Sequence, residues 1–222
     1  MPLLLDKPME NRDIRFFNPR SEIDKTKNRL PHWQQDGACY FVTWRLADSI
    51  PKEKLDQHYH EKERWLRSHP KPWDSETESE FHRCFSGQLD RWMDAGHGAC
   101  LLNKEPNAAL VEEALHFFEG ERTNMLSFVV MPNHVHALFV LNPDWKLESM
   151  IKSWKGASAR SINRLEHRTG EPLWQKDYFD RIVRDQKHYR NCVRYIRGNP
   201  EKAQLRAGAY RLWESALAYS VV

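Results

Sequence analysis

Two segments of the chain alternate apolar and polar side chains in the way that β-strands do. Residues 38–46 are rich in aromatic and β-branched types, and residues 126–141 contain two such runs that meet at Pro132 and Asn133. Proline followed by asparagine is a turn dipeptide, so strand-like runs on both sides of it indicate a hairpin. The sequence therefore predicts a first strand at 38–46 and a β-hairpin at 126–141.

Helical patterns occupy much of the remaining chain. Helices are predicted at residues 107–119, 147–165 and 186–198. A charged stretch at about 51–95 contains two further helix-like runs, separated by prolines at 70 and 72, and is interpreted as a helical excursion from the sheet. A short strand is predicted at 99–102. Strands interleaved with helices, including at least one hairpin, predict an α+β fold rather than a doubly wound one.

Composition and charge narrow the class of protein. Hydrophobic residues make up 40% of the 222 residues and charged residues 29%, which excludes a disordered chain. The net charge of +3 is unevenly divided, because residues 1–141 hold 18 basic and 22 acidic side chains whereas residues 142–222 hold 16 and 9. A basic C-terminal third favours an anionic partner such as the phosphate backbone of a nucleic acid, although basic residues often only solvate a helix face.

Cysteine spacing and hydropathy indicate the cellular compartment in which the protein is expected. The four cysteines contain no CxxC pair, so neither a disulfide scaffold nor a cysteine zinc site is expected. The sequence has no run of 18 apolar residues and no signal-peptide core. We therefore expect a soluble, intracellular protein with reduced cysteines.

His134 and His136 are the first residues that suggest chemistry. Residues two apart in a strand point to the same face, so the two imidazoles project side by side while Val135 points to the opposite face. Two neutral imidazoles at this spacing can bind a divalent ion, with oxygen ligands completing its shell. A structural histidine pair on a half-exposed strand explains the same pattern. A further functional residue is therefore needed before the pair can be interpreted as a metal site.

A tyrosine on the helix at 186–198 is the candidate for that further functional residue. The apolar stripe of this helix consists of Tyr189, Cys192, Val193 and Ile196. Tyr195 lies off the stripe and is not explained as core, although a surface tyrosine over basic side chains is a common arrangement. Asn199 follows one turn later, but it precedes Pro200, so its side chain is expected beyond the end of the helix.

Four blocks of sequence make a resemblance specific. Residues 40–45, 131–139, 174–185 and 195–203 read YFVTWR, MPNHVHALF, WQKDYFDRIVRD and YIRGNPEKA. In this order they resemble the signature blocks of the REP-associated tyrosine transposases, bacterial relatives of the single-tyrosine HUH transposases, in which HUH stands for histidine, hydrophobe, histidine. The likeness extends from about residue 30 to residue 203.

The resemblance implies a ferredoxin-like antiparallel sheet with helices packed on it and a helical insertion after the first strand. It implies that His134 and His136 bind Mg²⁺ or Mn²⁺, that Asn199 is a further metal ligand, and that Tyr195 is the nucleophile. The implied activity is that of a metal-dependent single-stranded DNA endonuclease and strand transferase, a transposase. Such an enzyme forms a 5′-phosphotyrosine intermediate at hairpin DNA of the REP type.

Basic residues near these blocks are candidates for DNA binding. They are Arg45, Lys152, Lys155, Arg181, Arg184 and Arg194. Each is equally well explained as a solvated side chain. The implied partner is single-stranded or hairpin DNA, with no membrane, in the nucleoid-associated cytoplasm of a bacterium. A monomer is favoured and a dimer left open.

The expected organisation is an irregular N-terminal arm at 1–30, a transposase domain at 31–203 with its insertion at about 51–95, and a C-terminal tail at 204–222. Two other functions stay open. One is a non-catalytic relative of the same fold that binds hairpin nucleic acid. The other is a structural zinc protein, which is disfavoured because no further cysteine or histidine stands at ligand spacing near the pair. Tyr178 and Tyr189 are the rival nucleophiles.

Overall fold

Residues 14–27, 31–70 and 74–221 are described by the computed structural model. Their strands are β1 (Asp24–Lys27), β2 (Pro31–Gln34), β3 (Cys39–Arg45), β4 (Thr123–Val130), β5 (His134–Leu141), β6 (Phe179–Ile182) and β7 (Arg211–Glu214). Their α-helices are α1 (Lys52–Ser68), α2 (Ser75–Phe81), α3 (Gly87–Asp94), α4 (Glu105–His116), α5 (Leu147–Leu165), α6 (Gln186–Lys202) and α7 (Ala216–Tyr219). A π-helix, His82–Ser86, joins α2 to α3, and a 3-10 helix, Leu101–Asn103, precedes α4. Within these ranges no helix is long and apolar enough to cross a bilayer.

Five strands form one antiparallel sheet in the order β6-β3-β5-β4-β7, and β1 pairs with β2 in a separate hairpin. The predicted hairpin is β4–β5, in which Val130 lies opposite Val135. The succession β3–α4–β4–β5–α5–β6 with this strand order is a ferredoxin-like arrangement, extended by β7 at the β4 edge. The predicted α+β fold with an antiparallel sheet is confirmed.

The sheet is covered on both faces because both rows of side chains in its central strands are largely apolar. The face that carries Tyr40, Val42 and Trp44 packs against α4 and α5. There Trp154 of α5 stacks on Trp44 with ring centroids 6.1 Å apart, so Trp154 belongs to the core. The face that carries Phe41 packs against α6 and α7. Every residue of β5 is buried, so its side chains are held by neighbours on both sides.

The charged stretch at 51–95 forms the predicted helical insertion, which consists of α1, α2, the π-helix and α3. It has a small cluster of its own, made by Ile50, Leu55 and Met93 with Tyr59, Leu89 and Trp92 packed against it. The contacts that join the insertion to the rest of the fold include an ion pair and a hydrogen bond. Asp94 forms an ion pair of 2.8 Å with Lys202, and the amide nitrogen of Asn133 donates to the backbone carbonyl of Met93 over 3.1 Å.

Two local predictions are wrong. The strand predicted at 99–102 is replaced by the 3-10 helix, because Cys100 has a φ of 47°, in the left-handed region that interrupts a strand. The last strong helix does not end before Asn199. Instead α6 continues through Pro200, and both side chains are buried against the sheet. Packing therefore outweighs the local preference of a residue that precedes proline.

Both terminal segments contribute strands, because β1 lies within the arm at 1–30 and β7 within the tail at 204–222. Besides the pairing of β7 with β4, one side chain of α6 helps to hold the tail in place. The guanidinium of Arg197 pairs with Glu214 at 3.1 Å and donates to the backbone carbonyls of Val221 at 2.7 Å and Ala218 at 3.0 Å. The end of the described chain is thus held against the helix that carries Tyr195.

Candidate active site

His134 and His136 lie side by side on the face of β5 that meets α6. Each is 1% exposed, and their Nε2 atoms are 3.1 Å apart. The strand starts directly after the turn, where the backbone N–H of Met131 donates to the carbonyl of His134 over 2.9 Å. The period of two predicted for this segment thus brings both imidazoles to one point.

Hydrogen bonds at the Nδ1 atoms orient both rings. The amide nitrogen of Asn133 donates to carbonyls of the insertion and the following loop, Met93 and His97, which leaves its Oδ1 to accept from Nδ1–H of His134 at 2.8 Å. The hydroxyl of Thr43 lies 2.7 Å from Nδ1 of His136. A hydroxyl both donates and accepts, so Thr43 is compatible with an Nε2 that holds a lone pair. In metal sites such outer partners fix the tautomer of a ligand histidine.

Both imidazoles are neutral at neutral pH. Burial lowers the pKa of His134 to about 3, and the cations Lys202 and Arg45 add to the effect. Burial also lowers the pKa of His136 well below its usual range, with further contributions from His134 and Lys202. Neutral imidazole is the form that binds metal ions, so no proton has to be displaced from the pair before an ion binds.

Asn199 places a third polar group at the same point. It lies in α6 one turn after Tyr195, is 1% exposed, and its Nδ2 is 3.4 Å from Nε2 of His136. Its Oδ1 is buried and has no hydrogen-bond partner. A buried oxygen without a partner is costly, and a cation bound between the imidazoles would supply one after rotation of the amide.

The donor set fits a divalent ion. Two ligand nitrogens with bonds of about 2.1 Å to one ion are about 3 Å apart when the bonds are perpendicular, which agrees with the 3.1 Å between the Nε2 atoms. In the described part of the chain no group of three or more histidine, cysteine or carboxylate side chains could hold a metal. The two imidazoles and the Asn199 amide carry no charge, so they would leave the charge of a bound ion uncompensated and open to an anion.

Tyr195 faces this pair from α6. Its ring is half-buried, and its centroid lies 5.1 Å from that of His136 and 5.7 Å from that of Phe41, both edge to face. The ammonium of Lys202 lies 5.9 Å from the ring centroid of Tyr195. The helical spacing therefore places Tyr195 and Asn199 on the side of α6 that meets the histidines.

The rival tyrosines have different surroundings. Tyr189 is fully buried in the core between α6 and the sheet, and burial raises the pKa of its phenol to about 12. Tyr178 contributes to the lining of the cavity beside Tyr195, but it is 7% exposed, its hydroxyl is buried, and burial raises its pKa as well. A high pKa and restricted access make both phenols poor nucleophiles.

A cavity of about 390 Å³ opens beside Tyr195, between β3, β6, α6 and the insertion. Three of the basic residues predicted to bind DNA line it, namely Arg45, Arg181 and Arg184. The other three do not. Lys152 and Arg194 lie on exposed faces of α5 and α6, outside this lining.

The ammonium of Lys155 is hydrogen-bonded within the protein. Its ammonium donates to the backbone carbonyls of Gln175 at 2.6 Å and Lys176 at 2.9 Å. Burial, opposed by Asp177 and assisted by Arg45, lowers its pKa to about 8. These contacts give Lys155 a structural position at the start of the segment that leads to β6.

Several residues of the site were not predicted from the sequence. Thr43 lies opposite His136 in the β3–β5 register, and a register cannot be inferred from one strand alone. Asn133 was predicted only as a turn residue, although its place next to His134 was a usable signal. Lys202 lies within the block at 195–203 but was not singled out there, and Lys62, which lines the cavity from α1, is marked by no local motif.

These features define an α+β protein whose central strand presents two convergent histidines to a tyrosine on a packed helix. Residues 100–199 match the family model described as transposase IS200-like. The family resemblance predicted from the sequence is confirmed over this segment, which contains His134, His136, Tyr195 and Asn199.

Two solved structures are similar at low identity. One is a REP-associated tyrosine transposase bound to a REP hairpin, with 15% identity, a TM-score of 0.40, and coverage of 79% of this chain and 74% of that chain. The other is a candidate transposase from Deinococcus radiodurans R1, with 14% identity, a TM-score of 0.29, and coverage of 82% and 97%. Comparison with curated proteins gave no match.

Proposed function

We propose that the chain is a metal-dependent single-stranded DNA endonuclease and strand transferase that uses Tyr195 as its nucleophile. The observation that carries the proposal is the convergence of four groups. The Nε2 atoms of His134 and His136 are 3.1 Å apart, the amide of Asn199 reaches the same point, and the ring of Tyr195 is 5.1 Å from that of His136.

The imidazoles of His134 and His136 and the Oδ1 of Asn199 would hold one Mg²⁺ or Mn²⁺ ion. When bound, such an ion neutralises charge on the non-bridging oxygens of a phosphodiester and stabilises a leaving oxygen. The neutral ligand set supports this role, because it leaves the positive charge of the ion available to the phosphate. Burial of the pair also strengthens electrostatic attraction to that phosphate.

The steps made by the chain's own residues begin with binding of a single strand along the cavity, where Arg45, Arg181 and Arg184 contact phosphates. The phenol of Tyr195 loses its proton to solvent, and its oxygen attacks a phosphorus atom. The bond to the 3′ oxygen breaks, that oxygen takes up a proton from solvent, and the 5′ phosphate stays on Tyr195. Attack by a 3′ hydroxyl reverses these steps and rejoins strands.

A single strand is the substrate that suits this site. Tyr195 is half-buried at the wall of a cavity, so a duplex backbone would have to approach past the insertion, whereas a single strand can bend into it. The basic C-terminal third of the sequence supports binding of an anionic polymer. The preference for a hairpin of the REP type rests on the resemblance of the four sequence blocks.

The proposal is tested with labelled single-stranded hairpins from the host genome, incubated with Mn²⁺ or Mg²⁺ and resolved on a denaturing protein gel. Wild type should give a covalent adduct that is absent in EDTA and absent from Tyr195→Phe. Tyr189→Phe is the matched control, since its hydroxyl makes no hydrogen bond in the structure, and it should form the adduct normally. Binding of the hairpins without any adduct would refute the chemistry and favour the non-catalytic relative.

A further inference from the structure

The cavity beside Tyr195 is lined on one side by the helical insertion. His58, Tyr59 and Lys62 of α1 line it, together with Phe85, Leu89 and Met93. The insertion is held in this position by the Asp94–Lys202 ion pair and the bond from Asn133 to Met93. It thus faces the predicted nucleophile across a space of about 390 Å³, within the range of ordinary ligand pockets.

The charge of this cavity is strongly positive. Four cations line it, namely Arg45, Lys62, Arg181 and Arg184, against the single carboxylate of Asp177. The ammonium of Lys62 lies 5.3 Å from the ring centroid of Phe81, and burial lowers its pKa. Arg45 is partly buried, its pKa is lowered by burial, and it bonds to Tyr59. Partly buried cations that outnumber the carboxylates in the same lining favour the entry of an anion.

The same wall presents aromatic surfaces. The π-helix brings Phe85 to the cavity, where it is 6% exposed and its ring lies 5.6 Å from that of His58. Single turns of π-helix often occur at functional sites. Tyr59 is half-buried beside them, and Phe179 lines the opposite side under the guanidinium of Arg181. Aromatic faces next to cations are the combination that binds the bases and phosphates of single strands.

We infer that the insertion completes a nucleotide pocket beside Tyr195, in which Lys62 and Arg45 bind a phosphate and Tyr59 stacks on an unpaired base. The inference rests on the proposed function and extends it, because it assigns the choice of nucleotide near the cleaved bond to the insertion. Asp177, which lies near Arg45, offsets only part of this positive charge.

The test uses the full chain with Tyr195→Phe, which binds without cutting, and two fluorescein-labelled probes, a dT 12-mer and an abasic 12-mer of the same length. Lys62→Gln should weaken binding of both probes about tenfold and reduce the slope of log Kd against log salt by about 0.7. Tyr59→Leu should weaken binding of the dT 12-mer about 5- to 150-fold more than that of the abasic 12-mer, because only the dT 12-mer loses base stacking, whereas loss of the bond to Arg45 affects both probes. Lys54→Gln, exposed on α1 outside the cavity, is the control and should match the parent.

Equal affinities of Lys62→Gln and Lys54→Gln for both probes would overturn the pocket. The adduct assay with Tyr195 intact separates this failure from failure of the chemistry. If wild type forms adducts and Lys62→Gln forms them equally at every DNA concentration, the pocket is refuted and the chemistry stands. If Lys62 and Tyr59 control binding as stated but wild type forms no adduct, the pocket stands and the chemistry is refuted.

Discussion

Lowering the pH from 7 to 5 should destabilise the fold through the buried imidazole of His134. Burial, with Lys202 and Arg45 nearby, lowers its pKa to about 3, whereas an unfolded histidine has a pKa of about 6.5. Between these two values the unfolded chain binds a proton that the folded chain does not. Stability is therefore unaffected by this group above about pH 7 and decreases as the pH falls below about 6.5.

The magnitude follows from the difference between the two pKa values. At pH 5 an unfolded imidazole is almost fully protonated and that of folded His134 is not, so unfolding is favoured by about 2 kcal/mol relative to neutral pH. His136 acts in the same direction, because burial and His134 lower its pKa too. Domains of this size are commonly stable by about 5–15 kcal/mol, so the loss should be readily measured.

The assay is urea unfolding followed by tryptophan fluorescence at pH 7, 6 and 5, with EDTA present so that no divalent ion competes with protons. Between pH 7 and pH 5 the free energy of unfolding of His134→Gln should decrease by about 2 kcal/mol less than that of wild type. His60→Gln removes an exposed histidine of α1 and should lose as much as wild type. Equal losses in all three proteins would refute the assignment of His134 as a buried neutral imidazole.

Two further predictions concern side chains that hold the site in place. Asn133→Ala removes the acceptor of Nδ1–H of His134 and should weaken Mn²⁺ binding about 10- to 100-fold, measured as the Mn²⁺ concentration at half-maximal thermal stabilisation; an unchanged midpoint would argue against the orienting role. Arg197→Gln breaks the ion pair with Glu214 and the bonds to Ala218 and Val221, and should cost about 1–3 kcal/mol in urea unfolding. Unaltered stability would show that the C-terminal segment is held by its apolar contacts instead.

The parts of the site that sequence could predict are those fixed by local periodicity. A period of two was sufficient to place His134 and His136 on one face, and a helical period was sufficient to separate Tyr195 from the apolar stripe of its helix. The site then requires only that this strand and this helix pack against each other. The sheet order that brings β5 under α6 was implied by the family resemblance and not by the periodicity, and both faces of β5 are buried as an apolar strand requires.

The parts that sequence could not predict depend on contacts between distant segments. Asn199 reaches His136 only because packing keeps α6 helical through Pro200, against the local preference. Thr43 contacts His136 through the β3–β5 register. Lys62 faces the cavity because a whole insertion folds back over the sheet, and its sequence shows only a charged helix.

The central claim is that Tyr195 forms the covalent bond to DNA. The measurement that tests it most directly is mass spectrometry of the adduct after digestion with nuclease and trypsin. The account predicts a nucleotide attached by its 5′ phosphate to the peptide 195–197, and no modified peptide in samples prepared with EDTA. A nucleotide on Tyr178 or Tyr189, or an adduct that forms without a divalent ion, would contradict it.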